Sequence, residues 1–150
     1  MKRFKNILFV SDFKTEACNA LDRAVALSER NQADLTIVDF VDDLPDNLKK
    51  TLLTKQLKKI QSYSLEIIQE QMKEAVASIR GTVGNVSYQL LKGRPFVEII
   101  RKVLRDKHDL VIIPSEGKTR FKEHIFGSTS MYLMRKCPCP VWVIKPTKRK

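Results

Sequence analysis

Glycine is scarce: there are five in 150 residues. Gly117-Lys118-Thr119 has the G-K-[ST] ending of a phosphate loop, but Ile112 stands where the first glycine of G-x4-G-K-[ST] belongs, and no G-x-G-x-x-G turn follows the first apolar run. Two common nucleotide motifs are therefore absent. Cysteine is scarcer still. Cys18, Cys137 and Cys139 make an odd count with no framework spacing, which argues against a disulfide scaffold. The single proline between the last two is not metal-ligand spacing, so reduced, buried or half-buried thiols are expected. No apolar run approaches the ~20 residues that a membrane helix needs. The stretch Ile7 to Val10 that follows the basic start ends at Ser11-Asp12, too short for the core of a signal peptide. The chain is expected to stay in the cytoplasm, away from membranes. Histidine occurs twice, as His108 and His124, each expected to be a solvated loop residue. With no Ser-His-Asp order and no metal cluster, no catalytic residue and no metal ligand are assigned, and any hydrolysis should be slow and incidental.

Acidic residues are short at one end only. Residues 101–150 hold 13 Lys+Arg against 4 Asp+Glu, whereas residues 1–100 hold 15 against 13, for a net charge of +11. A basic C-terminal third fits an anionic partner, and it fits a solvated basic face equally well. Aromatic platforms for stacked bases are limited there to Phe121, Phe126, Tyr132 and Trp142. Specific nucleic-acid binding is not expected, and any binding should collapse with salt.

What the chain does have is alternation. Ile7-Leu8-Phe9-Val10 is a short apolar run that predicts a buried strand, β1. Thr15 to Arg30 carries Ala17, Leu21, Ala24, Val25 and Leu27 at helical spacing, α1. Leu35 to Val41 is a second, β-branched run, β2, and residues 48–80 form one long amphipathic segment without Gly or Pro, α2. Val86 to Leu91 alternates as a strand near a sheet edge would, β3. Pro95 opens α3, whose apolar face is Val97, Ile100, Val103 and Leu104. Leu110 to Ile113 gives β4, a loop from Pro114 to Phe126 follows, Gly127-Ser128 opens α4, and Val141 to Ile144 gives β5. Strict β-α alternation with apolar strands implies one α/β domain over residues 1–150, with a parallel sheet and right-handed crossovers. In such sheets a ligand sits beyond the carboxyl ends of the strands, where the winding reverses.

The residues just after β1, β2 and β4 therefore matter most. Gly127-Ser128-Thr129-Ser130 places free N–H groups and three hydroxyls at a helix start, which suits an anion, with Ser128 a good N-cap. Lys118, Arg120 and Lys122 hang from the preceding loop and could close over a polyphosphate. The alternative is an ordinary capped helix after a basic solvent loop. Asp12 could accept hydrogen bonds from a ribose or an amino group, or could cap α1.

Asp109-Leu-Val-Ile-Ile, then Gly117, nine residues, Gly127-Ser128, and finally Cys137-Pro-Cys-Pro-Val-Trp-Val-Ile144 resemble the signature of the universal stress protein family. The opening Lys5 to Phe13 is similar to that family's first strand. Pro114 stands where the first glycine of the G-x2-G-x9-G-[ST] motif belongs. The resemblance implies a Rossmann-like, adenine nucleotide alpha hydrolase-like three-layer sandwich, with strand order 3-2-1-4-5. It also implies ATP, with Mg as a companion of the nucleotide. Ser11 and Asp12 would meet the ribose or adenine edge, Phe40 and Val41 would line the adenine, and Gly117, Gly127, Ser128, Thr129 and Ser130 would hold phosphates. It implies a homodimer through β5. The function implied is a stress-response regulator that binds ATP with little or no catalysis. The alternatives are a nucleotide-free interaction protein of the same fold and an enzyme of the related nucleotide-binding superfamily.

Overall fold

The computed structural model of the chain describes residues 3–11, 20–40, 54–79, 84–114 and 130–144. Within them the strands are β1 (Asn6–Val10), β2 (Asp34–Phe40), β3 (Val86–Leu91), β4 (Leu110–Pro114) and β5 (Val141–Ile144). The helices are α1 (Ala20–Asn31), α2 (Thr54–Ile79), α3 (Pro95–Asp106) and α4 (Ser130–Lys136). The five strands form one parallel sheet in the order β3-β2-β1-β4-β5. This is the α/β fold that the alternation predicts and the strand order that the family resemblance implies.

Burial follows position in the sheet. β1 and β4 are central and covered on both faces, so their apolar runs are continuous: Ile7 to Val10 are at most 2% exposed, and all of β4 is buried. β3 lies at the edge, where half of its residues are exposed and Leu91 alone is buried. Side chains alternate between the two faces. Ile7, Phe9, Leu35, Ile37 and Ile112 face a layer made with Ala20 and Ala24 of α1 and with Ile68, Met72 and Val76 of α2. Leu8, Val10, Val38, Phe40, Val111 and Ile113 face the other layer, made with Ile99 and Val103 of α3 and Leu133 of α4.

The connections are closed by specific bonds. Asn31 ends α1 by donating Nδ2–H to the Leu27 carbonyl at 2.8 Å, while its Oδ1 accepts the Phe4 N–H at 3.1 Å. Gln32 then takes a left-handed φ of 53°, and the Ala33 N–H returns to the Ser28 carbonyl at 2.9 Å. Gly93, at φ 124°, makes the turn before Pro95, and a Cβ there would press on Glu98 Cγ at 3.1 Å. α3 ends on Lys107, also left-handed at φ 58°.

At the amino end of the sheet Asp109 ties β4 to β1. Its carboxylate accepts the Lys5 N–H at 2.7 Å and the Asn6 N–H at 3.0 Å, and its own N–H donates to the Asn6 carbonyl at 2.9 Å.

Two expectations need correcting. Pro114 is the last residue of β4, paired with Ile144, rather than the first residue of the loop. The pairing of β4 with β1 ends at Ile112, so the missing Pro114 N–H costs the central ladder nothing. His108 is not a solvated loop histidine. It follows the α3 cap, is 5% exposed, and donates its backbone N–H to the Val103 carbonyl at 3.2 Å.

Candidate functional site

The winding reverses between β1 and β4. The chain passes from β1 through α1 to β2 on one face, and from β3 through α3 to β4 on the other. The crevice at the carboxyl ends of these two strands is where a doubly wound sheet takes a ligand. Its described floor is Val10, Ser11, Ile113 and Pro114, with Phe40 one strand away. Val10, Phe40 and Ile113 are at most 1% exposed, so the floor is apolar and tightly packed. Ser11 is half-exposed, and its N–H donates to the Val38 carbonyl at 2.8 Å, which fixes the backbone as it leaves β1.

Asp39 is buried on the opposite face of β2 from Phe40, and its Oδ1 accepts the Phe40 N–H at 2.7 Å. The sequence places this carboxylate close to the adenine-lining segment. The structure turns it away from the layer that holds Phe40. Of the predicted site residues, Ser11 and Phe40 are brought to the same end of the sheet, and Ser130 is the first residue of α4. Asp12, Val41, Gly117, Gly127, Ser128 and Thr129, like the loop cations Lys118, Arg120 and Lys122, lie outside the described residues.

A second feature, which the sequence does not signal, lies at the other end of the sheet. An open groove of about 430 Å³ is lined by Asn6, Thr36, Ser87, Gln89, Lys102 and His108, among others. Lys102 is buried, and its Nζ donates to Gln89 Oε1 at 2.6 Å and to Asp106 Oδ2 at 2.7 Å. Asn85 Nδ2 donates to Asp34 Oδ1 at 3.0 Å. Lys102 thus has protein acceptors, and its ammonium helps hold the Asp106 carboxyl below its ordinary value. These residues come from four separate segments, and their meeting is set by strand order, so no local pattern marks them.

The family model described as "Universal stress protein family" matches residues 3–145. A putative universal stress protein of Staphylococcus haemolyticus is 31% identical, over 97% of this chain and 87% of its own length. Universal stress protein E of Salmonella typhi is 34% identical over 97% of this chain, which spans 46% of that longer protein. Among solved structures, a universal stress protein of Lactobacillus plantarum superposes with a TM-score of 0.76 at 23% identity, covering 96% of this chain and 99% of that one. A universal stress protein in complex with cAMP superposes at 0.65 with 16% identity, covering 96% of this chain and 98% of that one. One from Archaeoglobus fulgidus in complex with dAMP superposes at 0.64 with 16% identity, covering 96% of this chain and 100% of that one.

Proposed function

The chain belongs to the universal stress protein family, and from that premise we propose that it is a stress-response regulator that binds ATP at the carboxyl ends of β1 and β4. The observation that carries the reading is the position of the reversal point between these strands, with the half-exposed Ser11 beside the end of β4. Among the described residues at this end, Ser11 is the half-exposed polar one, and its hydroxyl suits a sugar edge. Solved relatives of this fold hold cAMP and dAMP, which supports an adenine nucleotide as the ligand class. Gly117 and the run Gly127-Ser128-Thr129-Ser130 are the proposed phosphate cradle, with Asp12 and Val41 toward the nucleoside and Mg carried in with the phosphates. No residue is assigned to catalysis. The protein is proposed to act in the cytoplasm as a homodimer paired through β5.

Calorimetry with ATP tests this. The expected affinity is micromolar, the range typical of ~8 kcal/mol. Gly127→Val should abolish binding, because a side chain there stands where the cradle needs bare backbone. One observation favours the nucleotide-free alternative: Pro114 lacks the N–H that a glycine would offer. Pro114→Gly should leave affinity equal or higher. If ATP gives no heat with the natural chain and Pro114→Gly restores it, the nucleotide-free reading stands. If neither chain binds, the cradle is wrong.

A further inference from the structure

Cys137 and Cys139 flank Pro138 in the connection between α4 and β5. Their Sγ atoms lie 3.6 Å apart, within reach of a thiol–thiol hydrogen bond, and both residues are free and half-buried. The connection is held at both ends. The Cys137 N–H donates to the Leu133 carbonyl in the last turn of α4 at 2.9 Å, and the Pro140 carbonyl accepts the Val111 N–H of β4 at 3.0 Å. Both side chains rest on the margin of the α3/α4 apolar layer, so neither is sealed in it. Among the described residues no group of three or more His, Cys, Asp or Glu is placed to hold a metal, and the two thiols are not joined to each other.

The two sulfurs are not equivalent. The hydrogen bond from the Cys139 thiol draws the Cys137 thiol down to about 7, with the Cys139 backbone N–H adding to the effect. Cys139 is pushed up by the neighbouring Cys137 sulfur, by burial and by the Asp109 carboxylate. One sulfur is thus a nucleophile near neutral pH, and its neighbour keeps its proton until needed.

We propose that Cys137 and Cys139 form a thiol–disulfide exchange site, in which Cys137 attacks a small disulfide of the glutathione class and Cys139 resolves the adduct. In the first step the Cys137 thiolate forms a bond to one sulfur of the small disulfide. The disulfide bond breaks, and the departing thiolate takes a proton from water. In the second step Cys139 gives its proton to water and its thiolate attacks Cys137 Sγ, expelling the second small thiolate. Two protein thiols are oxidised to one disulfide, and one small disulfide is reduced to two thiols. The sulfurs must close from 3.6 Å to a bond of about 2.05 Å. The ring formed across a single proline is short and strained, so the bond is readily reversed by a reducing thiol. This site lies at the amino end of β5 and does not depend on nucleotide binding.

The test uses the full chain carrying Cys18→Ser, so that only the pair is read. It is treated with oxidised glutathione and followed by intact mass and peptide mapping. The expected product has lost two hydrogens and retains no glutathione, and dithiothreitol restores the starting mass. Cys139→Ser keeps a hydroxyl donor beside Cys137 and should trap one glutathione there. Cys137→Ser leaves Cys139, whose thiol is held up by the Asp109 carboxylate, and should react more slowly than Cys139→Ser at pH 7. Three results would each overturn the proposal: glutathione retained on the intact pair, equal rates for the two single variants, or no reaction of the intact pair. Because the mass change is read on the intact pair, a misfolded single variant does not remove the test.

Discussion

His108 is a buried base, and among the described residues neither of its ring nitrogens has a hydrogen-bond partner. Burial, reinforced by the Lys102 charge, pulls its pKa below the ordinary 6.5, while Asp106, Asp109 and the Asn6 backbone pull the other way. The unfolded chain therefore binds this proton before the folded chain does, and stability rises with pH across that interval. Stability should be full above pH 6.5 and fall as pH drops below it, by up to about 1.4 kcal/mol per pH unit until the folded value is reached. Urea unfolding between pH 7.5 and about 5 measures the slope. His108→Phe, which cannot titrate, should flatten it. A slope unchanged by the substitution would place its origin elsewhere. Asp106 acts in a separate window. Its carboxyl is held below the ordinary 3.8, mainly by the Lys102 hydrogen bond, so its contribution is present above that value and lost as pH falls below it.

At the scale of elements, Asp109 joins two strands that are remote in sequence. Asp109→Ala removes the acceptor for the Lys5 and Asn6 N–H groups, and the loss should be about 1–3 kcal/mol, toward the lower end because water can reach the Lys5 bond. A lower urea midpoint with an unchanged slope is the expected readout. The strands were legible because burial leaves a direct trace in sequence. β1 and β4 are covered on both faces and read as unbroken apolar runs, while β3 at the edge reads as broken. Helix α2 was legible from the spacing of Ile68, Met72 and Val76. Other features left no local trace. The groove around Lys102 is assembled from residues such as Asn6, Gln89 and His108, whose meeting depends on which strands are neighbours. The burial of His108 follows from the left-handed turn at Lys107, which folds the chain back under α3. Pro114 looked like a loop residue because proline usually breaks a ladder, yet the β1 pairing stops before it. At the candidate site, Ser11 and Phe40 were predicted to share one end of the sheet, and the structure places them there.

At the scale of the molecule, β5 is a short outer strand of apolar residues, with Trp142 38% exposed. An edge of this kind invites pairing. If the proposed homodimer forms there, light scattering at micromolar concentration should give twice the chain mass, and Val143→Lys should give the single mass. Emission from Trp142, the single tryptophan, then checks that the variant is folded. A natural chain that scatters as a monomer would remove β5 from the proposal. The tie between Asn6 and Asp109 spans 103 positions, and this sets a timetable for synthesis. A ribosome adding ~5–20 residues per second completes β1 about 5–20 s before its second partner exists. During that interval Ile7 to Val10 can pair with β2 on one side only, and the other side is an open apolar edge in the newborn chain. The strand that ends at the centre of the finished sheet is the one that must be kept from aggregating longest while the chain is being made.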